Sequence, residues 1–436
     1  MKRIILTALV ATSLLFTGCI EDDDTPIIIE ETTIINNNDG GGGGTCPVVV
    51  KAGGIAIDET WTNDQIYVLD RKVVVQDGVT LTIEPGTIIK GRAGQQSLSS
   101  ALIVARGGKL MAEGTAAQPI IFTSESDNIT CGEIAGTNLD ENNVGLWGGV
   151  IILGYAPSSF PGDVTELQIE GIPASDTFGL YGPGDNPPAD NTNDNSGVLR
   201  YISIRHGGSL LGEGNEINGL TLGAVGAGTT IDNVEVVANQ DDGIEFFGGT
   251  VDASNLLVWA QGDDALDVDQ AYSGTISNAV VVLTAISDHA LEIDGPEGST
   301  NGACTIENLT LIGNGDINSE YADYRSNAQV TTNNVYAYGF GGGADVELDN
   351  DGVATNYNNG LVNFGTWEIV LPADQADNNE DGTVDILDVF VNKAETVTVS
   401  GFGSTATAIA QGAQTVGAMT SALSWTYAND EGGLGF

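Results

Sequence analysis

Asn233-Val234-Glu235-Val236, Asn255-Leu256-Leu257-Val258, Asn278-Ala279-Val280-Val281, Asn308-Leu309-Thr310-Leu311 and Asn334-Val335-Tyr336-Ala337 repeat one theme, an Asn followed by aliphatic residues, at spacings of 22, 23, 30 and 26 residues. Three carry a fuller form: Ile231-Asp232-Asn233, Ile276-Ser277-Asn278 and Ile306-Glu307-Asn308. Short strand-like runs separated by Gly, Asp and Asn at a period in the twenties are the mark of a stacked solenoid. No window sustains a helical period that could supply crossover helices, so the strands return through turns. The expected fold is therefore an all-β parallel β-helix, each coil of three short strands adding about 4.8 Å. The recurring Asn is expected to stack on itself at a turn, its amide bonding its neighbours: a structural ladder, not a site.

Working outward, the N-terminal half repeats more loosely. Gly78-Val79-Thr80-Leu81-Thr82-Ile83-Glu84-Pro85-Gly86-Thr87-Ile88-Ile89 and Gly108-Lys109-Leu110-Met111-Ala112-Glu113-Gly114-Thr115 both read as strand and turn, with a further strand at Pro119-Ile120-Ile121-Phe122-Thr123. Between about 124 and 197 the repeat lapses. There Trp147 to Gly154 reads as a strand, and the rest as long loops projecting from one face, where solenoids carry binding functions. The expected organisation is a leader over residues 1–18, a tether over 19–45, the β-helix with its loop-rich insertion over 46–370, and a C-terminal part over 371–436.

The chain has 436 residues with 13 Lys+Arg against 60 Asp+Glu, a formal net charge of −47. Nucleic-acid binding is excluded, because nothing could replace the counterions of a phosphate backbone. Only 17% of residues are charged, 41% are hydrophobic and 60 are Gly, so this is neither an acidic disordered chain nor a helical protein. The composition is that of a secreted all-β protein whose partners are neutral or cationic.

Met1-Lys2-Arg3, the short apolar run from Ile4 to Phe16, and Thr17-Gly18-Cys19 resemble a bacterial lipoprotein signal. The resemblance implies cleavage before Cys19 and lipidation of that cysteine. Ile20-Glu21-Asp22-Asp23-Asp24 is similar to the acidic tag that sends lipoproteins of Bacteroidota to the outer face of the outer membrane, and the competing reading is a plain acidic linker. Past Cys19 only Cys46, Cys131 and Cys304 remain. At most one disulfide can form, and Cys46 with Cys131, which flank the first folded block, is the expected pair.

Leu81-Thr82-Ile83-Glu84-Pro85-Gly86-Thr87, Ala101-Leu102-Ile103-Val104, Ala112-Glu113-Gly114-Thr115, Trp147-Gly148-Gly149 and Asn218-Gly219-Leu220-Thr221-Leu222 resemble a family of right-handed parallel β-helix lipoproteins from Bacteroidota. The resemblance implies the handedness and the cell-surface location. A second likeness touches chemistry. Asp241-Asp242-Gly243, Gly262-Asp263-Asp264 and Asp288-His289-Ala290 resemble, in order and approximate spacing, motifs of polygalacturonases, inverting glycoside hydrolases on the same fold. It implies acid and base roles for Asp242, Asp263 and Asp264 with His289 in support. The closing Arg-x-Lys of those enzymes has no counterpart, since Arg325 is followed by Ser326 and Asn327. The plainer reading is that coil-spaced Asp residues bond the backbone of their own turns. A lyase needing a Lys or Arg base beside calcium would have only Arg200, Arg205 and Arg325 to draw on.

The same region also reads as a binding surface. Glu245, Asp267 with Asp269, Glu292 with Asp294, and Glu347 with Asp349 lie between aliphatic residues, so alternation turns the carboxylates outward while Ile244, Leu266, Leu291 and Val346 point inward. Stacked, they form an exposed acidic stripe that attracts calcium or a cationic ligand, or a merely solvated face. Trp147, Phe247, Trp259 and Tyr272 lie near the acidic motifs and could stack on sugar rings or in the core. Asp377-Asn378-Asn379-Glu380-Asp381-Gly382-Thr383-Val384-Asp385-Ile386-Leu387-Asp388 fits a calcium loop with ligands Asp377, Asn379, Asp381, Thr383, Asp385 and Asp388 and Gly382 at the sharp turn. Asp at its last position makes it similar to dockerin loops, although it occurs once. The functional expectation is a lipid-anchored surface protein that binds polysaccharide or cell-surface material without catalysis, assisted by calcium. A polygalacturonase-type hydrolase and a purely structural protein are the alternatives.

Overall fold

The computed structural model describes residues 33–35, 46–209, 216–315, 319–379 and 381–436. The expected leader, Cys19 and most of the tether lie outside them. Within the tether, Thr33–Ile35 pairs antiparallel with the strand Val48–Ile55, so that segment includes a strand where only linker was expected.

The remainder is a right-handed parallel β-helix of three faces. In one coil, residues 230–232 lie on the first face and 234–237 on the second, and Ile244–Phe247 forms the third. The corner between the first two faces is Asn233. It adopts φ 56°, and Asn255, Asn278, Asn308 and Asn334 repeat that left-handed turn with φ between 55° and 60°. Asn tolerates this conformation better than most residues. Its side chain then bridges coils: the Asn278 amide donates to Asn255 Oδ1 at 2.6 Å, and Asn334 to Asn308 at 3.0 Å. The expected ladder is present.

Inside the third face, Ile152, Leu222, Phe246, Val268, Ile293, Tyr324 and Leu348 stack in register, one per coil, and are buried throughout. A tight corner leads into this face. A Cβ on Gly243 would come within 2.4 Å of Val258 Cγ1 and 2.6 Å of the Ala265 carbonyl oxygen, so the Gly after Asp242 is demanded by the approach of neighbouring coils.

Two segments cover the outside. The stretch expected to project as loops instead packs down: Phe160, Ile169 and Tyr181 close over Ile103 and Ile151 on the outer side of the third face. The apolar exterior of those early coils needs cover, which open loops would not provide. The C-terminal tail runs back along the second face. Thr415 bonds Glu368, Met419 N–H donates to Asn278, Trp425 to Asn233, and the Tyr427 and Ala428 amides to Glu235. Beneath it Glu235 lies 3.7 Å from Arg205, both wholly buried, with the Tyr427 ring 4.1 Å from the guanidinium. Cys46 and Cys131 are joined as expected and Cys304 is a buried free thiol.

Candidate functional site

With the second face covered by the tail and the early coils of the third by the inserted loops, the later coils of the third face hold the acidic motifs. Their outward positions form one register column: Thr221, Glu245, Asp267, Glu292, Asp323 and Glu347. Five successive coils thus each place a carboxylate one strand spacing from the next. Asp269 and Asp294 stand one and two coils along the adjacent column, where Arg325 follows.

The sequence placed four of those five column acids correctly and missed Asp323. Its setting, Tyr321-Ala322-Asp323-Tyr324, replaces the aliphatic flanks by aromatics. The spacing from Glu292 to Glu347, near twice a coil, was the available signal. The expectation of an exposed stripe needs correction: Glu245, Asp267, Glu292 and Glu347 are only 5–8% exposed. At strand spacing each carboxylate is shielded by those above and below it, and Arg325 and Lys393 lie against Glu292 and Glu347. Asp269 and Asp294 are half-buried, and Asp349 is exposed.

Burial and mutual repulsion act together on these groups. Burial, then Asp267 and Asp264, holds Asp242 well above the usual carboxylate range, and burial with Asp267 and Asp242 does the same to Glu245. Burial followed by Asp269 and Asp264 raises Asp267. Burial raises Asp269 to about 7, with Asp294 adding to it.

The chain supplies cations to part of the column. Arg325 pairs with Glu292, reaches Asp294 at 2.9 Å and approaches Asp323 at 3.8 Å. Lys393 pairs with Glu347 and stands 3.7 Å from Asp345. His289 Nδ1 is 2.8 Å from Asp264 Oδ1 and 3.8 Å from Glu292. Burial alone would lower this imidazole, but the bond to Asp264 and the surrounding acids lift it to about 9, so it is a cation at neutral pH.

Of the three expected acids, Asp242 and Asp263 come together, whereas Asp264 turns its carboxylate to His289 and Glu292. Asp241, Asp242 and Asp263 each bring a carboxylate oxygen within 4.8 Å of the others. Inversion needs carboxyl groups about 6.5–9.5 Å apart with a water between, and this cluster is closer than that. Asp242 Oδ1 accepts the Asp264 N–H at 2.9 Å, and Asp264 Oδ1 accepts the His289 N–H at 2.8 Å. These two acids are therefore tied into the turns of the next coil. Asp263 lies at the surface, where partial loss of water around its carboxyl, with Asp264 and Asp288 nearby, raises it to about 6; Asp241, half-buried, is raised to about 7 by burial and by Glu170 and Glu216 beside it. Asp241 thus stands beside Glu170 of the inserted loops, and Asp263 at the surface nearer Asp288 and His289.

The four aromatic candidates offer no sugar platform. Trp147 is wholly buried and donates to the Arg205 carbonyl at 2.8 Å, and Tyr272 is in the core against Phe246. Phe247 packs under the inserted loops, and Trp259 lies against Tyr427 of the tail. Arg200, Arg205 and Arg325 are all paired with acids, which removes the lyase candidates from service as bases.

In the loop over 377–388 the Gly382 N–H donates to Asp377 at 3.0 Å, the Asp381 N–H to Asn379 at 3.0 Å and the Thr383 N–H to Asp381 at 2.8 Å. Asp385 and Asp388 form a capping box on the turn Ile386–Val389, and Asp388 is fully buried. Asp377 Oδ1 is buried without a hydrogen-bond partner. Asp385 and Asp388 spend oxygens on the backbone N–H groups of Leu387, Asp385 and Asn379, and among the described residues no three carboxylates of this loop gather within 4.8 Å of one another, so the likeness to a calcium loop rests on its spacing and on the unpartnered Asp377 oxygen; Glu380 lies outside the described residues.

The chain matches, over residues 53–426, the family described as pectate-lyase-like beta helix domain. It belongs to that family. Among solved structures it is similar to the pectin methylesterase from Aspergillus niger, with 12% identity and a TM-score of 0.30, covering 73% of this chain and 85% of that one. No curated protein matches.

Proposed function

We propose that this chain is a carbohydrate-binding solenoid, held by a lipid on Cys19 at the outer face of a bacterial outer membrane, that engages polysaccharide on its third face without cleaving it. The observation that carries this reading is the acidic face itself. It is bordered by the inserted loops, while the chain's own tail covers the second face. Asp241 and Asp263 on the turns, with Glu170 and Glu216 beside them, present an array of hydrogen-bond acceptors suited to neutral or amine-bearing sugars. Its family, named for a carbohydrate-active β-helix, supports the ligand class. Calcium assists in two places: at the column, where it relieves repulsion between stacked acids, and in the loop 377–388, where it fixes the C-terminal part.

The hydrolase alternative would use Asp242, Asp263 and Asp264, and one experiment separates the two. The full chain and its Asp263→Asn variant are incubated with a panel of insoluble polysaccharides, with and without calcium, and both retention and reducing-sugar release are measured. Retention without release supports binding. Release that disappears in the variant establishes a hydrolase and overturns the reading.

A further inference from the structure

The cations of the third face are distributed unevenly. Going down the column, Glu347 has Lys393, Asp323 and Glu292 have Arg325, and Asp264 on the adjoining turn has His289. Among the described residues no Lys, Arg or His is paired with Asp242, Glu245 or Asp267. These three are 5–8% exposed and bring carboxylate oxygens within 4.8 Å of one another. Two polar atoms beside them are also left over. Asp267 Oδ1 is buried with no hydrogen-bond partner, and so is the Oδ1 of Asn218, a 2% exposed side chain whose amide donates to Glu245. Leaving a buried oxygen unpaired is costly, more so when it is charged, so a folded chain that leaves several together calls for an occupant.

We infer that Asp242, Glu245 and Asp267, with the Asn218 side-chain oxygen, hold one calcium ion, which takes on these coils the place that Arg325 and Lys393 take on the later ones. All four donors are oxygens, as a hard cation prefers, and Ca2+ accepts ligands at about 2.3–2.6 Å, spanning up to about 5 Å across the ion. Mg2+ gives up its waters reluctantly, which disfavours it in a site this buried. An ammonium group on a sugar could reach Asp263 or Asp241, but Asp242, Glu245 and Asp267 lie below the surface, where only a compact ion fits. The inference deepens the calcium part of the proposed function and does not need a sugar to be bound.

The test counts calcium on the full chain, stripped with EDTA and dialysed against radiolabelled CaCl2 with excess MgCl2. Asp267→Asn keeps the shape of the side chain and is expected to bind one ion fewer per chain than the wild type, and to lose the calcium-dependent rise in melting temperature that this ion gives. Glu245→Gln is expected to do the same and covers the case in which the first variant fails to fold. Asp381→Asn, in the separate loop, is expected to keep the Asp267-dependent ion. Equal calcium counts in the wild type, Asp267→Asn and Glu245→Gln would overturn the inference, as would displacement of the ion by the magnesium. Polysaccharide retention measured on the same preparations keeps the two claims apart, since a chain that loses sugar but keeps the ion contradicts only the binding reading.

Discussion

Asp242 and Asp264 show how one residue type serves two ends in a solenoid. Each accepts the backbone N–H of the coil above through one oxygen, and this is the turn-bonding role that sequence alone gives to a coil-spaced Asp. The Gly that follows Asp242 is set by the same stacking. Gly243→Ala is expected to destabilise the fold by about 1–3 kcal/mol, because the added methyl meets Val258 and the Ala265 carbonyl, as a denaturant titration would record. His206 is a second sharp case: burial depresses it to about 4 despite a 2.8 Å hydrogen bond to the Asn143 carbonyl. Its folded pKa lies below the unfolded value of about 6.5, so the unfolded chain binds the extra proton between those values and stability is lost as pH falls through that window. Comparing the pH profiles of wild type and His206→Gln should isolate this contribution, up to about 3 kcal/mol at pH 4, and identical profile shapes would contradict it. Neither the burial of His206 nor that of the acids was readable beforehand, since alternation tells which side of a strand a residue takes but not what covers that side.

Among the elements, the Asn corners were the most legible, because a left-handed turn favours few residue types and the repeat of the Asn marks its place. The inserted loops and the C-terminal tail were the least. Their cover depends on contacts between residues far apart, such as Tyr427 with Glu235, and no local pattern announces those. The tail supplies two backbone amides to Glu235, and Arg205 supplies its charge. Arg205→Ala is therefore expected to cost about 3–5 kcal/mol by leaving the carboxylate buried and unpaired, with loosening of the tail visible as faster amide exchange over 415–430. In the loop 377–388, Asp381→Asn should reduce calcium protection of the C-terminal part against proteolysis. Unchanged protection would remove that loop from the calcium sites.

At the scale of the whole molecule, the repeat gave the architecture and the charge gave the partners to exclude, whereas the working face emerged only from register. Four column acids were visible from their aliphatic neighbours; the fifth, Asp323, and the cations Arg325 and Lys393 that divide the face were not. The resulting picture is of a solenoid with one face covered by its own tail and another left acidic, neutralised from within on its later coils and, as we propose, by calcium on its earlier ones. This organisation predicts that removing calcium weakens polysaccharide retention, and that Asp241→Asn together with Asp263→Asn weakens it at constant calcium without changing the melting temperature by more than a few degrees. The central claim, that sugar lies on the third face, is tested most directly by hydrogen exchange on the full chain with and without the polysaccharide it retains. Protection is expected at the turns 240–243 and 262–265 and at the loops around Glu170 and Glu216. Protection confined to the tail over 412–436, or none with polysaccharide bound, would contradict the account.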